Sequence, residues 1–153
     1  MSKRKPTILL PDDPKPTTSA PGYGNKYETL ATGDTTDGGY TMIHAVIPPG
    51  DGAPPHQHAN EDEGFFVLEG EITFYVDGEY VTGKAGTFIN IPKNTPHGFR
   101  NESDQTARML FWYTPAGLEK GMAEALADFD NVVEIAKKYG MTYVDVEWRS
   151  SED

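Results

Sequence analysis

Residues 54–70 read PPHQHANEDEGFFVLEG, and this stretch decides how the whole chain is interpreted. Two histidines, His56 and His58, stand two positions apart, and Glu63 follows where an apolar run begins. Residues two apart on a strand point to the same face, so both imidazoles can address one point. Taken alone, this spacing does not separate a metal site from ordinary hydrogen bonding by histidine.

A second stretch, GTFINIPKNTPHGFRN at residues 86–101, carries a third histidine. His97 follows a Pro-Lys-Asn-Thr-Pro turn and begins another aromatic strand, which an antiparallel fold can bring beside the first. Glu63 begins an apolar strand, where a carboxylate would be costly to bury without a partner. Glu61 and Asp62 are interpreted as solvated loop residues. Three imidazoles and one carboxylate with open positions suit Fe, Mn, Ni, Cu or Zn, and the ion would compensate the buried charge.

Composition narrows the classes of function. The 153 residues carry a net charge of −11, which disfavours nucleic acid or an anionic membrane as a partner because both would be repelled. The absence of cysteine excludes a disulfide framework and thiolate metal ligands. No segment reaches the length of a membrane span, and MSKRKPTILLPDD lacks the apolar core of a secretory signal. We therefore expect a cytoplasmic protein that binds neither nucleic acid nor membrane.

The chain divides into four segments. Residues 1–22 contain five prolines among polar residues, which predicts a flexible tail or an extended arm. Residues 23–115 alternate short β-rich runs with turn residues, a pattern typical of an antiparallel sandwich or barrel. Residues 116–140 have apolar residues at helical spacing, which predicts two short helices over one end or edge of the barrel. Residues 141–153 are predicted to form a final strand and a polar tail.

Eight segments within the barrel region are predicted to be strands because they are rich in β-branched and aromatic residues. Two connections, EGE at residues 69–71 and VDGE at residues 76–79, are predicted to be tight hairpins, the second through its Asp-Gly pair. Gly140 is predicted to end the last helix. The strand segments are KYETLA, YTMIHAVI, GFFVLEG, EITFYVDG, EYVTG, GTFINIP, HGFRN and ARMLFWYT.

The two histidine stretches resemble the two sequence motifs of the cupin superfamily. Residues 50–70 fit the first motif at every fixed position, and residues 86–101 fit the second with one departure. Asn94 stands where the family usually has glycine, a mild change because Asn tolerates left-handed backbone. The segments EDEGFFVLEGEITF, PKNTPHGFRN and YTPAGLE are most similar in sequence to the quercetin dioxygenase-like small cupins. The matched positions are Gly50, His56, His58, Glu63 and Gly70, then Gly86, Pro92, His97 and Asn101.

This resemblance implies an all-β fold, a jelly-roll β-barrel or double-stranded β-helix with short C-terminal helices, and a homodimer. It also implies one divalent transition metal per chain, bound by His56, His58, Glu63 and His97. The expected activity is that of a dioxygenase, which uses dioxygen to cleave a flavonol-like or enol or diketone small molecule. Glu63 would then be ligand and general base in turn, which needs a carboxylate pKa raised by partial burial. The fourth histidine, His44, falls outside both motifs and is interpreted as a satisfied core residue or a hydrogen-bond partner of a ligand.

Two other classes of function stay open. The same site on the same fold supports metal-dependent isomerases, lyases and decarboxylases, in which the metal acts only as a Lewis acid. A barrel that binds a small molecule without turnover is the third class. A cupin-type transcription regulator is disfavoured because no helix-turn-helix pattern precedes the barrel.

Apolar residues of the inner barrel face are expected to line a substrate pocket. By alternation Phe99 shares a face with His97, and Phe65 shares a face with Glu63. Three further candidates lie on strands whose inner face the sequence leaves undetermined. The complete set of pocket candidates is Phe65, Phe99, Met42, Phe111 and Tyr113.

Overall fold

The fold was analysed in a computed structural model, which describes residues 4–19 and 24–150. Within these residues eleven strands form two antiparallel sheets. The strands are β1 (Thr17–Thr18), β2 (Lys26–Ala31), β3 (Thr41–Ile47), β4 (Gly52–His58), β5 (Asp62–Glu69), β6 (Glu71–Val76), β7 (Glu79–Lys84), β8 (Phe88–Ile91), β9 (His97–Arg100), β10 (Ala107–Thr114) and β11 (Met141–Tyr143). The helices are α1 (Gly33–Thr36), α2 (Leu118–Ala127) and α3 (Val132–Lys138), with a 3₁₀ turn at Phe129–Asn131.

The two sheets pack face to face as a jelly-roll barrel, as the resemblance implies. The first sheet has the order β1-β2-β3-β10-β5-β8, and the second has the order β11-β4-β9-β6-β7. Phe65 of the first sheet contacts Phe74 of the second, with ring centroids 5.3 Å apart. Along β3 and β10 every second residue is buried, because successive side chains of a strand point to opposite faces. The core therefore lies between the sheets.

The two predicted hairpins have different outcomes. The prediction for VDGE is confirmed: Val76 pairs with Glu79, and both Asp77 and Gly78 have positive φ, at 46° and 95°. The prediction for EGE is wrong, because β5 and β6 belong to different sheets. Gly70, with φ at 75°, instead carries the chain across from one sheet to the other. A short connection at Gly need not be a hairpin in a two-sheet fold.

The eight predicted strand segments do not include β4, although the argument for His56 and His58 places both on a strand. Two consecutive prolines weaken the pairing of a strand. Pro54 and Pro55 fall where the pairing of β4 with β9 is irregular, between Ala53 and His56. At such an irregularity the ladder needs no proline N–H donor. The strand therefore resumes its pairing at His56, opposite His97.

The two predicted C-terminal helices are present and cover one mouth of the barrel. Helix α2 buries Leu118 and Ala125, and Gly140, with φ at 82°, follows the end of α3 as predicted. Glu119 fixes α2 to the barrel, since its carboxylate accepts hydrogen bonds from the Gly33 amide at 2.9 Å and the Thr41 hydroxyl at 2.6 Å. The helices are thus tied to the strands that surround the site.

Part of the proline-rich tail is an extended arm, because Thr17–Thr18 pair with β2. Residues 1–3, 20–23 and 151–153 lie outside the described residues, so the division into four segments stays a prediction. The homodimer and the cytoplasmic location also stay predictions. No helix in the described ranges has the length and apolar character needed to span a membrane.

Candidate metal centre

Four buried side chains converge inside the barrel. They are His56 and His58 near the end of β4, Glu63 at the start of β5 and His97 at the start of β9. One nitrogen or oxygen atom of each lies within 4.8 Å of the others. The structure therefore brings together all four residues that the sequence predicts as metal ligands.

Glu63 occupies the middle of the cluster. Its Oε2 atom lies 2.8 Å from His97 Nε2, which is a hydrogen bond, and 2.9 Å from His58 Nε2. The second contact lacks hydrogen-bond alignment, so His58 Nε2 has no hydrogen-bond partner among the described residues. A buried polar nitrogen without a partner is uncommon in native proteins. A cation bound between the imidazoles and the carboxylate would satisfy it, so the donor set fits a divalent transition metal.

Two of the imidazoles are oriented by backbone carbonyls. His56 Nδ1 lies 2.7 Å from the carbonyl oxygen of Pro54, and His97 Nδ1 lies 2.9 Å from that of Thr95. Because a carbonyl can only accept, Nδ1 carries the proton in both rings. In His56 this leaves the Nε2 lone pair for the site, as in many histidine metal ligands. His97 Nε2 also donates to Glu63, so this ring would release its Nε2 proton when a metal binds.

Two of the four ligands, His56 and Glu63, are in the protonation states that metal binding needs. Burial, together with the neighbouring His97 and His58, lowers the pKa of His56 to about 3, so this imidazole is neutral at pH 7. Burial alone would raise the pKa of Glu63, but the contacts with His58 and His97 outweigh it and lower that pKa to about 2. The expected raised pKa of Glu63 is therefore corrected: the carboxylate is wholly buried and still ionised.

A cavity of about 400 Å³ adjoins the cluster, and His56 and Glu63 form part of its wall. Its inner barrel surface includes Phe99, Phe111 and Tyr113, three of the predicted pocket residues. Helices α2 and α3 and the 3₁₀ turn between them close the opposite side with apolar residues that are not among the predicted pocket residues. These are chiefly Leu118, Met122, Leu126, Phe129, Val132 and Val133.

Comparison with known proteins identifies the family. The sequence-family model of the cupin domain matches residues 43–113 of the chain. Protein SchB of Streptomyces halstedii is 30% identical over 115 residues, which cover 75% of this chain and 82% of SchB. The chain belongs to the cupin superfamily. The solved structure of KdgF from Halomonas sp. shares the fold, with a TM-score of 0.66 and 16% identity over 76% of this cupin and 99% of KdgF.

Two further relatives differ in how much of their own length aligns with this cupin. Quercetin 2,3-dioxygenase of Bacillus subtilis (strain 168) is 33% identical over 107 residues, 63% of this cupin and 31% of the dioxygenase. This cupin thus spans less than a third of that enzyme. Polyketide synthase CurC of Streptomyces cyaneus is 27% identical over 139 residues, which cover 91% of this cupin and 89% of CurC.

Two predicted pocket residues of the cupin do not line the cavity. Met42 lies on the outer face of β3, since its neighbours Thr41 and Ile43 are the buried residues of that strand. Phe65 is fully buried beneath the site, with its ring centroid 6.1 Å from that of His97. Phe65 therefore supports the ligands from the core, and Met42 lies on the face of β3 that is turned away from the cavity.

The predicted roles of His44 and Glu61 are also corrected. His44 is half-buried on the outer face, where its Nδ1 lies 3.1 Å from Glu28 and its Nε2 lies 3.1 Å from Arg108. It is neither a core residue nor a partner of a ligand. Glu61 is not solvated but only 6% exposed, and burial raises the pKa of its carboxyl. The available signal was its position three residues after His58, within reach of that ring.

For the metal-free cupin, we expect the free energy of unfolding to fall as the pH drops below 6.5. His56 binds a proton near pH 6.5 when unfolded but only near pH 3 when folded. The unfolded state therefore binds more protons in this window, and stability rises with pH. The slope from His56 alone is up to about 1.4 kcal/mol per pH unit. Urea unfolding with a chelator present, at several pH values between 4 and 7, measures it.

The variant His56→Gln separates this contribution from the others. Glu63, whose pKa is lowered, adds stability that is lost below pH 4.5, and His97, whose pKa is raised, adds stability that is lost above pH 6.5. The raised pKa of Glu61 acts with the opposite sign to His56. Parallel pH profiles for the wild type and His56→Gln would contradict the assignment.

Proposed function

We propose that this cupin is a metal-dependent enzyme that acts on a small, largely apolar molecule, and that the reaction is dioxygenation of a flavonol-like, enol or diketone substrate. His56, His58, Glu63 and His97 would hold one divalent transition metal. The observation that carries the proposal is the opening of this buried ligand set into an apolar cavity of about 400 Å³. Ligand pockets of this size, apolar with a few convergent polar groups, are typical of small-molecule sites.

The chemistry of the donor set supports this assignment. Neutral imidazoles and one carboxylate leave a divalent ion with net positive charge and suit several transition metals. When bound, such an ion supplies Lewis acidity that acidifies a substrate hydroxyl and, if redox-active, permits reaction with dioxygen.

The residues of the chain position the substrate and receive its proton. Glu63 lines the cavity as an ionised carboxylate, the form that accepts a proton. Its lowered pKa makes it a weak base, so it would receive the proton of an enol or hydroxyl group only once a bound metal has acidified that group. Tyr113, directly opposite Glu63 on β10, has its pKa raised by burial and by the Glu63 charge, so it stays a neutral hydrogen-bond donor. The rings of Phe99 and Phe111 exclude water and pack against an apolar substrate.

Quercetin 2,3-dioxygenase supports the dioxygenase proposal through its 33% identity, which covers part of that enzyme only. A second candidate function is favoured by CurC, which aligns over nearly its whole length and carries a polyketide synthase name. In that candidate the same site performs metal-dependent isomerisation, elimination or decarboxylation without dioxygen. A binding barrel without turnover is the third candidate.

Oxygen uptake separates these candidates. Metal-reconstituted cupin is mixed with a flavonol such as quercetin, or with a small diketone, and dissolved oxygen is followed with an electrode. We expect substrate-dependent uptake that vanishes on chelation. Conversion of the substrate without uptake would favour the non-oxidative candidate, and absence of both would contradict an enzyme acting on these substrates.

Filling the cavity is expected to weaken substrate binding and leave metal binding intact. Met122 lies on the cavity wall, whereas its neighbour Ala123 is exposed on the same helix. We expect Met122→Trp to raise the KM or Kd for an active substrate at least about tenfold, because the indole occupies its volume. Ala123→Trp is the matched control and should leave both values unchanged. An equal KM or Kd for the two variants would contradict the proposal that the substrate binds in this cavity.

A further inference from the structure

The strongest unexplained feature of the described residues lies beside the ligand cluster. Glu61 Oε2 and His58 Nδ1 are both buried, and neither has a hydrogen-bond partner among the described residues. These two atoms face each other at 3.9 Å, too far for a hydrogen bond. Leaving a buried carboxylate oxygen and a buried ring nitrogen unpaired is costly, so their proximity calls for a function.

The other two histidines show what His58 lacks. His56 and His97 each direct Nδ1 at a backbone carbonyl, of Pro54 and Thr95 respectively. His58 Nδ1 has no such hydrogen bond to any described residue, and the carboxylate oxygen Glu61 Oε2 lies 3.9 Å from it. Ligating histidines usually donate the nitrogen that does not bind metal to a carbonyl or a carboxylate. Glu61 is therefore in the place where the missing partner of His58 is needed.

The backbone between the two residues is held on both sides. The His58 carbonyl accepts the Asn94 amide at 2.7 Å, and the Ala59 amide donates to the Gly140 carbonyl at 2.8 Å. Asn60 also donates its side-chain amide to the Tyr139 carbonyl, at 3.4 Å. These bonds anchor the turn to the second motif and to the end of α3. With the backbone held in this way, rotation of the Glu61 side chain is the movement that we invoke to close the 3.9 Å gap.

We propose that Glu61 is a positioning residue: its carboxylate accepts a hydrogen bond from the Nδ1–H group of His58 and so directs His58 Nε2 into the metal site. The inference rests on the proposed metal binding by the four-residue cluster. A carboxylate acceptor makes the hydrogen bond charge-assisted. It raises the basicity of His58 Nε2 toward the metal more than a carbonyl acceptor would. It also brings a second negative charge close to the cation. Glu61 itself is not proposed as a ligand, because its carboxylate contacts the Nδ1 side of the ring and it is not part of the convergent four-residue cluster.

The test compares Glu61→Leu, Glu61→Gln and Asp62→Asn, using Co²⁺ and Ni²⁺ as probes in competition with a chelator. We expect Glu61→Leu to bind both metals about 10- to 100-fold more weakly than the wild type. Glu61→Gln keeps a neutral acceptor and should be intermediate. Asp62→Asn removes the same charge from the adjacent residue, whose carboxylate accepts the Lys93 amide instead, and should be unchanged.

A second measurement separates positioning from ordinary structural support. In the metal-free protein the buried Oε2 atom of Glu61 has no hydrogen-bond partner among the described residues, so Glu61→Leu should leave the Tm unchanged or higher. Added metal should then raise the Tm less than in the wild type, and the visible spectrum of bound Co²⁺ should change. Unaltered affinity and spectrum in Glu61→Leu would overturn the inference, as would a lower metal-free Tm. A wild-type protein that binds neither probe would instead overturn the proposed function.

Discussion

Replacing His97 with alanine is expected to abolish stoichiometric metal binding and to destabilise the metal-free protein. The imidazole is a candidate ligand and also the hydrogen-bond donor to Glu63 Oε2, at 2.8 Å. Its loss removes one of four donors and leaves a buried carboxylate without its best partner. Metal affinity should fall at least about 100-fold. The free energy of unfolding should fall by about 3 to 5 kcal/mol, the cost of breaking a buried charged pair.

Calorimetric metal titration and urea unfolding measure these two effects. The matched control is His44→Ala, since His44 lies on the outer face and contacts Glu28 and Arg108 rather than the cluster. His44→Ala should bind metal like the wild type. Retained metal affinity in His97→Ala, or an equal loss in both variants, would remove His97 from the ligand set.

The second large effect is expected for Glu63→Gln. The substitution keeps the shape of the side chain and an oxygen that accepts from His97, so the fold should be retained. It removes the negative charge from among three imidazoles, and with it the only anionic ligand of the proposed set. Metal affinity should fall at least about tenfold, and turnover of any active substrate should stop because no carboxylate remains to accept its proton.

The control for this variant is Glu69→Gln, which changes an exposed carboxylate paired with Arg108 on the outer face. Metal content, circular dichroism and substrate turnover are compared across both variants and the wild type. Turnover at the wild-type rate in metal-loaded Glu63→Gln would refute the role of Glu63 as base. Normal metal affinity there would refute its role as ligand.

The ligand cluster was predictable because each ligand lies in one of two short sequence motifs. Histidines two apart share a strand face, and the spacing of Glu63 and His97 follows the two cupin motifs. The turn at Asp77 and Gly78 was equally predictable, because few residue pairs accept positive φ twice in succession. Asn94 adopts a φ of 60°, the backbone conformation expected where the family usually has glycine.

The remaining features depend on contacts distant in sequence. The connection at Gly70 resembles a hairpin locally, and only the packing of two sheets shows that it crosses between them. Alternation alone cannot say which face of β3 is inside, so Met42 was assigned to the pocket. Glu61 lies in a polar stretch that is typical of a loop. Its burial follows from the turn that backbone hydrogen bonds to Asn94 and Gly140 hold in place. The helical wall of the cavity depends on how α2 and α3 dock.

The most direct test of the central claim is the metal content of the purified wild-type cupin, measured by elemental mass spectrometry beside His97→Ala. Both proteins are analysed as isolated and again after reconstitution with Fe²⁺, Ni²⁺, Mn²⁺, Cu²⁺ or Zn²⁺ and removal of excess ion. The arrangement of His56, His58, Glu63 and His97 predicts about one transition metal ion per wild-type chain and little or none in the variant. A wild-type chain that holds no metal after reconstitution would contradict a metal-dependent function for this cupin.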